Sequence, residues 1–157
     1  MNVPFVDLKA QYQSIKEEMD TAIQTVISET AFIKGKYVSQ FENDYKNMFD
    51  VNHCIGVANG TDAIYVTLKA LGVGPGDEVI TVANSWISTS ETITQTGARP
   101  VFVDIHPETY VIDTSKIEAK ITQKTKAIIP VHLFGHPAPM DDIMTICKEH
   151  NLYCIED

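Results

Sequence analysis

Residues 54–82 read CIGVANGTDAIYVTLKALGVGPGDEVITV. The apolar run Cys54 to Ala58 has strand length and ends in Asn59-Gly60-Thr61-Asp62, residue types that tolerate turns and cap helices. A helical stretch begins near Thr61 and gives way, through Gly72-Val-Gly74-Pro-Gly76-Asp77, to a second apolar run, Val79 to Val82. Strand, helix and strand in succession is the unit from which parallel sheets are built. The same alternation continues to the last residue. Val101 to Val103, Ala127 to Val131 and Leu152 to Ile155 are further strand-length runs, and helices are expected to start near Ser88, Thr114 and Pro139. Ser88 and Glu91 have the S-x-x-E spacing of a capping box, and Gly97 followed by Pro100 stops that helix. The expected fold is α/β, a mostly parallel sheet flanked by helices, with ligands at the carboxyl ends of the strands.

Upstream, residues 1–52 read as a helical segment. Leu8, Tyr12, Ile15, Met19, Ile23 and Val26 form one helical stripe, with Asp7 placed to cap its first amides. After a break at Gly35, Val38, Phe41, Tyr45 and Met48 recur at helical spacing. Residues 53–157 then form the α/β array, and no repeat or linker divides it.

Composition narrows the function classes. The chain has 157 residues, 44% hydrophobic and 21% charged, the profile of a globular domain. Its net charge of -9 argues against an extended contact with nucleic acid or an acidic membrane surface. Arg99 is the single arginine, so a bound phosphate must be held by lysines, backbone amides or residues outside this chain. Cys54, Cys147 and Cys154 are odd in number, lack CxxC spacing and lie in apolar segments, which indicates neither a disulfide framework nor a zinc site. Together with an N-terminus that lacks the order of a signal peptide, this points to the cytoplasm.

Several residues are placed to do chemistry. Gly60 and Thr61 open a helix after a strand, and free amides there can hold one phosphate group. The simpler local reading is a capped turn in which Asn59 or Asp62 satisfies the same amides. No GxxxxGK[ST] or GxGxxG pattern is present, and the Gly72 to Gly76 segment precedes a strand and reads as a turn. Trp86, the only tryptophan, follows a strand end, where it can stack on a flat heteroaromatic ligand or pack in the core. Asp104 and Asp157 also follow strands. Asp104 is accounted for as a turn cap, with His106, Pro107 and Glu108 behind it. Glu156 and Asp157 alternate in direction along the strand and do not form an acid/base pair. His132 and His136 are four apart, but Gly135 and Pro137 break any helix there, so no metal site is expected and His132 is expected to bond to backbone.

The segments VPFVDLKAQY, FIKGKYVSQFE, GVANGTDAIYVTLKALGVGPGDEVITV, GARPVFVDI, KTKAIIPVHLFGHPAPMD and LYCIED, taken in order, closely resemble the DegT/DnrJ/EryC1/StrS family of sugar aminotransferases. That resemblance covers essentially the whole chain. It implies the fold of type I pyridoxal-phosphate enzymes, here the first part of their large domain, and a homodimer with active sites at the subunit interface. It implies transfer of an amino group from an amino acid, commonly glutamate, to a keto sugar carried on a nucleotide.

By the same resemblance, Gly60, Thr61 and Asp62 match the segment that holds the phosphate of pyridoxal 5'-phosphate. Trp86 matches the position that stacks on its pyridine ring, and Asp157 matches the carboxylate that pairs with the ring nitrogen. In complete family members a lysine beyond that aspartate bonds the cofactor. The chain is therefore expected to be an amino-terminal part without the smaller C-terminal domain, inactive by itself. An open sheet edge or exposed apolar face is expected where further elements pack. With one arginine and no basic cluster, the main contacts to a sugar nucleotide's diphosphate are expected outside these residues or on the partner subunit. A dehydratase of the same family, with histidine in place of that lysine, and a noncatalytic α/β binding or regulatory module are the alternative readings.

Overall fold

The computed structural model describes residues 5–157. Met1 to Pro4, which begin both the helical segment and the VPFVDLKAQY match, lie outside the described residues. The chain divides into two compact units, a first ending at Gly56 and a second running from Val57 to Asp157.

The first unit holds three helices, α1 (Leu8–Ser14), α2 (Lys16–Ser28) and α3 (Lys36–Met48). Asp7 caps α1 as its sequence position predicts, its Oδ1 accepting from the Ala10 amide at 2.9 Å. The single stripe read from Leu8 to Val26 is split, however. Ile15 leaves the helical region (φ -121°, ψ 14°), and the Ser14 hydroxyl donates to the Gln11 carbonyl at 2.7 Å, drawing that carbonyl into a local bond. Lys16 pairs with Asp20 across the first turn of α2. None of the three helices buries a residue.

The second unit is built on a four-stranded, all-parallel sheet in the order β2-β1-β3-β4. In chain order its elements are α4 (Gly60–Ala70), β1 (Glu78–Val82), α5 (Ile87–Gln95), β2 (Arg99–Val103), β3 (Thr125–Ile128), α6 (Met140–His150) and β4 (Tyr153–Cys154). Alternation along the strands separates two apolar layers. Val79, Ala127 and Ile129 pack with Ile64 and Leu68 of α4 and Ile93 of α5 on one face. On the other, Ile80, Val82 and Ile128 pack with Ile143 and Ile146 of α6 and with Val111, Ile112 and Ile117. Thr81, fully buried in β1, satisfies its hydroxyl by donating to the Ile129 carbonyl at 2.9 Å.

The turns behave as their residues require. Gly72 and Gly76 take positive φ before β1, and the Asp77 carboxylate accepts from the Gly74 amide at 3.0 Å. Gly97 (φ 90°) ends α5.

Three expected elements differ. Cys54 to Ala58 is not a strand: its Gly56 amide donates to the Glu42 carboxylate of α3 at 2.8 Å rather than to a neighbouring strand, and an apolar run without a partner backbone makes no ladder. The helix expected near Thr114 is two 3-10 turns, Thr114–Lys116 and Glu118–Lys120; Asp113 accepts from the Ser115 amide and hydroxyl, and Ile121 is already extended. The Ser88/Glu91 capping box does not form, because α5 begins earlier, with Trp86 at its N-cap position. Glu91 instead accepts from the Gln95 amide side chain at 3.0 Å.

Candidate active site

The carboxyl ends of β1, β3 and β4 and the start of α4 surround a cleft of about 420 Å3 within the second unit. Gly60 and Thr61 form one wall, Ser85, Trp86, Ser88 and Thr89 a second, and Val131 to Phe134 with Asp157 a third. Of the residues singled out in the sequence, Gly60, Thr61, Trp86 and Asp157 meet in this one place. Asp62 does not line it.

At the start of α4, Asn59 is extended (φ -166°, ψ 175°) and caps the helix, its Oδ1 accepting from the Asp62 amide at 2.8 Å. The Asp62 carboxylate accepts in turn from the Asn59 side-chain amide at 3.3 Å. The capped-turn reading thus holds for Asp62. Gly60 stands differently: a Cβ placed on it would meet no protein atom within 4 Å, so the missing side chain leaves open space beside the helix start. Thr61 donates its hydroxyl to Ser88 Oγ at 2.8 Å, which ties α4 to α5 and leaves the Ser88 proton available to the cleft.

Trp86 is 79% exposed, so it is not a core residue. It sits where β1 hands over to α5, and its carbonyl accepts from the Thr89 amide at 3.2 Å, the first bond of that helix. Asp157 follows β4 and is fixed by its own backbone: its amide donates to the Pro130 carbonyl at 3.0 Å, and its carbonyl accepts from the His132 amide at 2.9 Å. One carboxylate oxygen, Oδ2, accepts from the Thr89 hydroxyl at 2.6 Å. Glu156 points to a different partner, His132 Nε2 at 3.0 Å, as strand alternation requires.

His132 Nδ1 accepts from the Ala138 backbone amide at 3.0 Å, so its proton lies on Nε2 and is donated to Glu156. This ring braces the loop that follows β3. Within that loop Phe134 has a left-handed backbone (φ 56°, ψ 25°) and is 91% exposed at the cleft. Such a conformation costs a non-glycine residue about 1–3 kcal/mol. Among the described residues, the His, Cys, Asp and Glu side chains gathered closely enough to hold a metal ion are Glu118, Glu149 and His150, all exposed and away from this cleft. Asp104 does act as a turn cap, with Oδ1 accepting from the Ile105 amide at 2.9 Å and Lys116 beside Oδ2; that amide, then Lys116, hold its carboxyl below the usual carboxylate range.

Ser88, Thr89, His132 and Phe134 were not assigned to the site from sequence. The available signal was position: His132 and Phe134 lie in the loop after β3, and Ser88 and Thr89 in the first turn of the helix that follows β1, the places that line ligand clefts in parallel sheets.

Comparison with known proteins agrees with this architecture. The chain is 49% identical over 157 residues to a pleiotropic regulatory protein of Geobacillus stearothermophilus, covering 100% of this chain and 42% of that protein. It is 44% identical over 155 residues to UDP-2-acetamido-2-deoxy-3-oxo-D-glucuronate aminotransferase of Pseudomonas aeruginosa, covering 99% of this chain and 43% of that enzyme. The crystal structure of NtdA from Bacillus subtilis with its bound cofactor PMP superposes with a TM-score of 0.95 at 38% identity, over 99% of this chain and 36% of that one. The chain therefore spans about two fifths of the length of the curated relatives it matches. No described helix is long and apolar enough to cross a membrane. The model of the DegT/DnrJ/EryC1/StrS aminotransferase family matches residues 13–157, and the chain belongs to that family.

Proposed function

We propose that the protein is a pyridoxal-phosphate-dependent aminotransferase that moves an amino group from an amino acid, glutamate being the donor read from the family, to a keto sugar carried on a nucleotide. The observation that supports this reading best is the meeting of Gly60, Thr61, Trp86 and Asp157 on one cleft at the carboxyl ends of parallel strands. These residues fit the cofactor. The open space beside Gly60 admits a phosphate against the α4 start, the exposed indole of Trp86 is free to stack, and the Asp157 carboxylate has one oxygen, Oδ1, without a hydrogen-bond partner among the described residues.

Pyridoxal phosphate, when bound, supplies an electron-accepting ring that delocalises negative charge developing at the substrate carbon. The chain's own residues orient and poise it. Amides of Gly60 and Thr61, with the Ser88 hydroxyl that Thr61 orients by donating to it, would hold the phosphate; the partial positive charge of the helix start favours it. Asp62, whose amide is taken by Asn59, serves the cap rather than the phosphate. Trp86 fixes the ring plane, which keeps the breaking bond aligned with the π system. Asp157 holds a proton on the ring nitrogen by hydrogen bonding and charge. The same reading includes a nucleotide sugar as substrate and a homodimeric assembly.

The experiment is to add pyridoxal phosphate to the full-length protein and follow its absorption spectrum. A new visible band that is lost on adding glutamate supports the aminotransferase. Binding without any response to amino donors, accompanied by loss of water from a keto-deoxysugar nucleotide, would assign the dehydratase instead. Absence of pyridoxamine phosphate binding would leave the noncatalytic module.

A further inference from the structure

Asp157 is held in a manner that singles out one of its two carboxylate oxygens. Its backbone is fixed on both sides by Pro130 and His132, so the remaining freedom is rotation of the side chain. Thr89 removes that freedom: its hydroxyl, on a residue only 2% exposed, donates to Oδ2 at 2.6 Å, the length of a charge-assisted O–H···O bond. Because the single Thr89 proton is committed to the carboxylate, its oxygen can only accept from Ser85 Oγ, 3.2 Å away. Thr89 also belongs to the first turn of α5, whose N-cap position is Trp86. One turn of helix therefore carries both the exposed indole and the hydroxyl that sets the carboxylate.

We infer that Thr89 is a positioning residue for the heteroaromatic ring nitrogen of the ligand: by occupying Asp157 Oδ2 it aims Oδ1 at that nitrogen, at a fixed offset from the plane set by Trp86. This rests on the reading of Asp157 proposed above. Thr89 touches the ligand nowhere in this scheme and acts through Asp157.

The test uses full-length protein freed of cofactor, and equilibrium dialysis against two ligands, pyridoxamine phosphate and its 1-deaza analogue, in which the ring nitrogen is replaced by C–H. The unaltered protein is expected to favour the pyridine. Thr89→Val keeps the shape of the side chain and removes the hydroxyl; it should weaken pyridoxamine phosphate binding about tenfold while changing the deaza analogue less than about twofold, and Thr89→Ser should restore most of the preference. Equal weakening of both ligands would show that Thr89 only supports the fold of the site, and would overturn the inference while leaving the Asp157 reading intact. So would an undiminished preference in Thr89→Val. Lack of preference in the unaltered protein would remove the Asp157 reading and this inference with it. If Thr89→Val does not fold, Thr89→Ala carries the same comparison, since the quantity read is a ratio between two ligands on one variant.

Discussion

The backbone amide of Asp157 donates to the carbonyl of Pro130 at 3.0 Å, continuing the parallel pairing of β3 and β4 past the last residues of either strand. The carboxylate is thereby presented from a peptide that is already hydrogen-bonded, not from a free loop. Asp157→Asn should consequently leave the fold intact, since an amide oxygen can still accept from Thr89. It replaces a charge-assisted bond to the ring nitrogen by a neutral one, a loss of about 1–1.5 kcal/mol, or roughly five- to tenfold in affinity. Equilibrium dialysis of pyridoxamine phosphate against the full-length variant, with circular dichroism to check the fold, measures it; unchanged affinity would remove the role assigned to Asp157.

Trp86 separates binding from stability in the same way. At 79% exposure it contributes little to the core, and Trp86→Ala should shift unfolding by no more than about 0.5 kcal/mol. Ring stacking should nevertheless be lost, with pyridoxamine phosphate affinity falling about tenfold, while Trp86→Phe keeps most of it. A urea titration beside the dialysis experiment reads both quantities.

At the opposite end of β1, the buried Glu78 carboxylate accepts from Arg99 at 2.5 Å and from the Thr122 hydroxyl at 2.7 Å. Arg99 first, then Thr122, hold its carboxyl pKa below the ordinary glutamate range. A lowered folded value contributes stability above the unfolded value, about 4.3, and loses it as pH falls through the folded one. The stability advantage of the wild type over Glu78→Gln should thus be full at pH 7 and shrink steadily below about pH 4.3. Urea titrations between pH 7 and pH 3 give the difference; an advantage that grows with acid would contradict the assignment.

Gly97 leaves no room for a side chain. Its φ is 90°, and a Cβ there would lie 2.8 Å from Cγ of Pro75. Gly97→Ala combines a strained backbone with that contact and should cost about 1–3 kcal/mol, read as a lower urea midpoint with an unchanged slope.

The strands from β1 onward were legible because each contains an apolar run closed by turn residues; in β1, buried along its whole length, burial on both faces requires such a run. Cys54 to Ala58 carries the same signature without being a strand, since composition does not reveal whether a neighbouring backbone is there to pair. Gly60, Trp86 and Asp157 were visible as residues following apolar runs, and the family resemblance gave them roles that local sequence left open. Thr89 and Ser88 were not visible. A threonine inside a helix carries no local mark of function, and the partner that gives Thr89 its place lies 68 positions away. Phe134 escaped for a related reason, because its left-handed backbone is imposed by the loop around it.

The three walls of the cleft come from α4, from the β1–α5 junction, and from the loop after β3 together with the segment after β4, which are distant along the chain. No two of them can be brought together by local folding alone. Every wall is joined to the next through a parallel crossover, and closing such long-range connections is slow in sheets of this kind. Capture of a ligand by this cleft therefore requires all of these crossovers to be in place. A ligand that binds only there stabilises the finished sheet against unfolding in proportion to the logarithm of its concentration once the site is saturated.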